Sequence, residues 1–180
     1  MEHSKSGRTL RDACQMGICV AAMAVMAQIS VPLPGSGVRI TLQVFAVALA
    51  GMTLGAKRGA VAAVVYVLLG AVGIPVFAQF TATTALFGAT GGYILTFPAL
   101  AFFAGWGAYK RRVGWRIAGS AIGMAVLYIG GTAMFCALRH VGVREALVLC
   151  VVPFVVPDIL KIAVADVVAA RLRKLRGLRD

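Results

Sequence analysis

Charge is what this sequence has least of. Only 13% of its 180 residues are Asp, Glu, Lys or Arg, and six of those are acidic. A soluble domain carries about 25% charged residues, so an ordinary soluble fold is excluded. Metal and disulfide frameworks are also missing their signals. Cys14, Cys19, Cys136 and Cys150 show no CxxC spacing, and His3 and His140 are not near them in sequence, so the cysteines read as small apolar filler. No metal or cofactor is expected. There is no Ser–His pairing, no HExxH and no phosphate-cradling glycine loop, which removes the common enzyme signatures and any ATP-binding motif. The basic excess, a net charge of +12, lies in short clusters between apolar runs. A nucleic-acid binder needs its Lys and Arg gathered on one polar face, so these clusters are a topology signal instead.

What the chain does have is apolar length. Hydrophobic residues make up 61% of it and its mean hydropathy is +0.91, the composition of an integral membrane protein. At about 20 apolar residues per helix, roughly six spans fit, with no room for a second, soluble domain. The expected fold is all-α: one membrane domain over 1–180, with a polar tail over 1–12, a six-helix bundle over 13–173 and a basic tail over 174–180. The predicted spans are Ala13 to Val31, Ile40 to Leu54, Ala60 to Ile74, Gly91 to Tyr109 kinked at Pro98, Ile117 to Leu138, and a last helix opening at Pro157 and ending near Arg173. Pro32 to Gly37 and Gly55 to Gly59 read as turns. Val76 to Thr90 reads as a neutral, hydroxyl-rich loop with exposed Phe77 and Phe80, either a connector or a segment dipping back toward a polar cavity. A short surface helix is expected over Arg144 to Val152.

Orientation follows from counting. The two ends and the second and fourth turns hold fourteen Lys and Arg, while the opposite side holds Arg39, Arg139 and Arg144. The rich side is cytoplasmic, so both termini are inside and the spans are even in number. A cleaved secretory signal over the first apolar run is rejected because it would separate the termini. Thr41 and Gln43 read as polar groups one turn inside the second span, serving as helix glue or as ligand contacts.

Asp158, Lys161 and Asp166 stand in the last apolar run, where an unpaired charge costs several kcal/mol. With the helix starting at Pro157, Asp158 and Lys161 fall in its first turn near the outer surface, on one face. They form either a salt bridge that only neutralises itself or the polar wall of a pocket opening outward. Asp166 points about 140° away from Lys161 at 100° per residue and is read as a contact to a neighbouring helix. Two aspartates on faces about 80° apart on the same helix do not form a proteolytic dyad.

Four ordered motifs then resemble a known family. They are Ile40-Thr41-Leu42-Gln43, Leu69 through Ala78 with Gly73-Ile74-Pro75-Val76-Phe77 at its centre, Gly88-Ala89-Thr90-Gly91-Gly92-Tyr93, and Pro153-Phe154 with Asp158 and Lys161. Together they resemble the BioY family, the biotin-specific substrate-capture subunits (S components) of energy-coupling factor transporters. The resemblance implies a plasma-membrane protein of a bacterium or archaeon that takes up biotin without chemistry of its own. It also implies partners, namely a membrane coupling subunit and two ATP-binding subunits. It assigns biotin contact to Asp158 and Lys161, places Tyr93 in the family's glycine-glycine-tyrosine motif, and sets Gln79 and Thr81 in its ligand-facing loop. Gln43 and Phe77 complete the expected substrate-binding set. The small residues Ala13, Gly17 and Ala21 resemble the pattern with which S components dock on the coupling subunit. The chain departs from the family at Ala89, where proline is usual, at Pro157, where glycine is usual, and in its loop, which is less rich in glycine. An S component for another small vitamin and a non-transporting assembly subunit are the competing readings.

Overall fold

A computed structural model describes residues 2–32, 39–110 and 112–175, with side chains from residue 10 onward. The polypeptide is built from helices: α1 (Glu2–Gln28), α2 (Gln43–Leu54), α3 (Ala56–Ala71), α4 (Thr83–Leu86), α5 (Gly91–Ala108), α6 (Val113–Arg139), α7 (Val143–Cys150) and α8 (Val152–Leu175). Between α1 and α2 a short antiparallel hairpin pairs β1 (Ser30–Pro32) with β2 (Arg39–Thr41), Ser30 opposite Thr41. Each of the six expected spans corresponds to one helix. By length and composition, α1 from Leu10, α5 and α6 are each able to cross a membrane, and α7 with α8, bent by 45°, are apolar enough together to form a broken span or a re-entrant loop. At 1.5 Å per residue, α2 covers only about 18 Å of a core about 30 Å thick. Large apolar side chains such as Ile18, Val25, Leu95, Ile129 and Val167 face outward, as lipid-facing positions do.

Small residues set the packing. In lipid, helices associate by close fit because water exclusion offers little. Four glycines of α6, Gly119, Gly123, Gly130 and Gly131, all turn toward α5, meeting Gly107, Leu100, Thr96 and Tyr93. A Cβ on Gly51 would overlap the backbone of Ala101, which presses α2 onto α5. Gly55, at φ 87°, makes the reversal between α2 and α3. A left-handed backbone of this kind suits glycine.

Several expectations are corrected. Residues 2–12 are not a separate tail, because α1 is continuous from Glu2. Thr41 lies in β2 and Gln43 is the first residue of α2, so Thr41 is not inside a helix. Lys57 and Arg58 occupy the first turn of α3 rather than a connecting turn. Most consequential, α8 starts at Val152, not at Pro157. Pro153 takes the permissive first turn, and Pro157 sits inside the helix, where a transmembrane segment tolerates it because neighbouring groups re-satisfy the backbone. Asp158 and Lys161 therefore lie in the second and third turns, about 7.5 Å deeper along the axis than a start at Pro157 implies. Pro32, the first residue of the expected Pro32 to Gly37 turn, ends β1, and Lys174 and Leu175 of the expected tail over 174–180 belong to α8; the rest of that turn and tail, and Arg111, lie outside the described residues.

Candidate functional site

A cavity of about 230 Å³ opens between α2, α5, α6, α8 and the loop joining α3 to α5. Its wall includes all seven side chains expected to bind substrate: Gln43, Phe77, Gln79, Thr81, Tyr93, Asp158 and Lys161. Residues from four distant stretches of the chain thus meet around one space.

Asp158 and Lys161 form the polar pole of this cavity. One turn apart on α8, they pair with Lys161 Nζ 2.7 Å from Asp158 Oδ1. Asp158 is 2% exposed and Lys161 9%, so each charge depends on the other to offset its desolvation. The second carboxylate oxygen accepts a hydrogen bond from the Tyr128 hydroxyl of α6 at 2.9 Å. Lys161 retains donor capacity beyond that one bond, and both residues line the cavity. The pair is thus a salt bridge and part of the cavity wall at once.

The aromatic wall is fixed by glycine and by hydrogen bonds. Gly131 of α6 leaves the space in which the Tyr93 ring sits, since a Cβ there would overlap it. The Tyr93 hydroxyl donates to Cys150 O at 3.0 Å, joining α5 to the end of α7. Gly70 leaves the same kind of space for the Phe77 ring. Phe77 is buried, contrary to the exposed position expected for it, and stands edge-on to Tyr66 at 5.3 Å between ring centroids, while Phe80 is exposed as expected. Gln43 Nε2 donates to Tyr66 Oη at 2.7 Å, and Tyr66 Oη donates to Val76 O at 2.9 Å. Gln43 thus both glues helices together and lines the cavity.

The loop over the cavity turns sharply. Gln79 and Phe80 both have positive φ, 58° and 55°, a conformation that non-glycine side chains adopt at a cost. Gln28, at the end of α1, holds that turn. Its Nε2 donates to Phe77 O at 3.0 Å, and its Oε1 accepts from Phe80 N at 3.0 Å. Phe77 N donates to Thr81 O at 3.0 Å across the turn.

The remaining charges are placed elsewhere. Asp166 faces away from the cavity, as expected, and takes two bonds from the Arg116 guanidinium of α6, Nε at 3.1 Å among them. Arg173, one of the fourteen basic residues assigned to the cytoplasmic side, turns inward, donating from Nη1 to Met52 O at 2.7 Å beneath the Tyr109 ring. A cation at that position suits the carbonyl end of α2. On α1, Ala13, Gly17 and Ala21 are all exposed, and a Cβ on Gly17 would meet nothing within 4 Å. No disulfide joins Cys14, Cys136 or Cys150, and among the described residues no cluster of His, Cys, Asp and Glu could hold a metal ion.

Three contributors to the site carry no sequence signal: Tyr128, Tyr66 and Gln28. Each acts through a partner distant in sequence, and no local spacing marks it.

The BioY family model matches residues 1–177. The chain is 46% identical over 159 residues to a protein named "Probable biotin transporter BioY" from Pyrococcus horikoshii, spanning 88% of this chain and 93% of that one. It is 40% identical over 168 residues to "Biotin transporter BioY" from Thermotoga maritima, spanning 92% and 98%. In fold it matches a crystal structure of the S-component for biotin from an ECF-type ABC transporter, with a TM-score of 0.84 over 93% of each chain at 20% identity.

Proposed function

The chain belongs to the BioY family, and from that premise we propose that it captures biotin in the cavity at Asp158 and Lys161 for uptake across the plasma membrane. It is a multi-pass membrane protein whose relatives from bacteria and archaea are named transporters. It makes and breaks no covalent bond. The observation that carries the reading is the buried Asp158–Lys161 pair on the wall of a cavity also lined by Tyr93, Gln43, Phe77, Gln79 and Thr81. Biotin combines a ureido group, an apolar thioether ring and a carboxylate. A mostly apolar space with a few convergent polar groups suits such a ligand.

The chain works as an S component, with six spans and both termini inside, so that the cavity faces outward. Energy comes from partners: a membrane coupling subunit and two ATP-binding subunits. The exposed small-residue face of Ala13, Gly17 and Ala21 supports docking of α1 on the coupling subunit, because small residues let another helix approach closely. Equilibrium binding of labelled biotin to the purified protein tests the reading. Saturable binding that excess unlabelled biotin displaces, and that riboflavin and thiamine do not, is the expected result. Absence of saturable biotin binding, or displacement of the label by riboflavin or thiamine as readily as by biotin, would refute it.

A further inference from the structure

The cavity wall contains a second cation. Arg39 of β2 lines the cavity and is half-buried, in contrast to the enclosed Lys161. Ser30 orients its guanidinium, with Nε donating to Ser30 Oγ at 3.0 Å and Nη2 reaching Ser30 O at 3.5 Å. A guanidinium has five N–H donors, so this arrangement aims the group without exhausting it. The ion pairs among the described residues are Arg58–Asp12, Arg116–Asp166 and Lys161–Asp158. None of them neutralises Arg39.

The two cations therefore offer different chemistry. Lys161 already has a carboxylate 2.7 Å away, and both partners are enclosed. An anion brought to Lys161 would also stand beside Asp158, and in a poorly solvated wall the repulsion would offset much of the attraction. A neutral group with both N–H donors and a carbonyl suits such a pair, giving hydrogen bonds to Asp158 and accepting one from Lys161. A carboxylate is better matched to Arg39, whose planar fork accepts it in a bidentate geometry and whose charge no described carboxylate offsets.

We propose that Arg39 is a specificity-determining residue that anchors the ligand carboxylate at the cavity rim, leaving the neutral ureido end to the Asp158–Lys161 pair. The inference rests on the biotin reading above. It makes the site select the free acid over neutral derivatives of the same molecule. It also gives the β1–β2 hairpin a task, since Ser30 and Arg39 come from its two strands.

The test compares biotin with biotinamide, in which the carboxylate is replaced by a neutral amide. Both are titrated against the full-length protein, the R39Q variant and the R39K variant. Wild-type protein should bind biotin about ten- to a hundredfold more tightly than biotinamide, the range of one charge-assisted hydrogen bond. R39Q should lose that preference by weakening biotin alone, and R39K, which keeps the charge, should retain part of it. Equal binding of the two ligands by wild-type protein overturns the inference and leaves the biotin reading intact. A full preference in R39Q overturns it as well. Wild-type protein that binds neither ligand overturns the biotin reading and this inference together. Should R39Q fail to fold, the wild-type and R39K ratios decide, because R39K is expected to lie between wild type and unity.

Discussion

Asp158 and Asp166 stand on the same helix two turns apart, each beside one cation, and their surroundings differ in an instructive way. The partner of Asp158 is Lys161, three residues along the same helix, and both are enclosed. The partner of Asp166 is Arg116, from α6, and both side chains keep more than a quarter of their surface. The second pair joins two helices and stays partly wet, so it has a structural task at modest cost. The first ion pair lies within α8, is tied to α6 only by the single Tyr128 hydrogen bond, and bears the full desolvation of two ions. Stability alone gives no reason to keep such a pair in lipid. A cavity at its edge does, because a ligand with complementary donors and acceptors completes the hydrogen bonding of both charges.

The largest effect is expected at Lys161. Lys161→Ala leaves Asp158 charged, buried and held by Tyr128 alone, so biotin affinity should fall by about a hundredfold or more, in line with the several kcal/mol lost when one member of a buried pair is removed. Isothermal titration checks this, and an affinity within a few fold of wild type would assign the pair a purely structural role. A smaller effect is expected at Tyr128, whose hydroxyl holds the second oxygen of Asp158. Tyr128→Phe removes one hydrogen bond worth about 1 kcal/mol, so affinity should weaken about fivefold with the fold intact by circular dichroism.

A smaller effect again is expected at Gln28, which touches the loop over the cavity from α1. Gln28→Ala frees the turn at Gln79 and Phe80, and biotin dissociation, followed by stopped flow, should accelerate about two- to fourfold, since each neutral hydrogen bond contributes about 1 kcal/mol. An unchanged dissociation rate would separate that turn from the site.

The parts of this account that were readable in the sequence were those set by composition and local spacing. Apolar run lengths placed the helices, and the i, i+3 relation of Asp158 and Lys161 put them on one face. The helical angle set Asp166 apart from them. The start of α8 was not readable, because Pro153 and Pro157 each satisfy the first-turn preference and only packing chose between them. Phe77 was misplaced because its burial depends on the space left by Gly70 and on the Tyr66 ring. Tyr128 looked like one more aromatic in an apolar run, since its partner lies thirty residues further on. The inward turn of Arg173 toward Met52 likewise depends on two helices far apart in sequence. Substrate identity itself entered through resemblance, carried by motifs in which no single residue specifies biotin.

The most direct measurement is biotin affinity and melting temperature for Asp158→Asn and Asp166→Asn, determined side by side on the purified protein. With Asp158 on the cavity wall and Asp166 away from it, Asp158→Asn should weaken biotin binding by well over tenfold. Asp166→Asn should leave the affinity within about twofold and lower the melting temperature by about 2–4 °C, as expected when a tie worth about 1 kcal/mol is lost. Biotin affinity that survives Asp158→Asn but collapses in Asp166→Asn would contradict that placement.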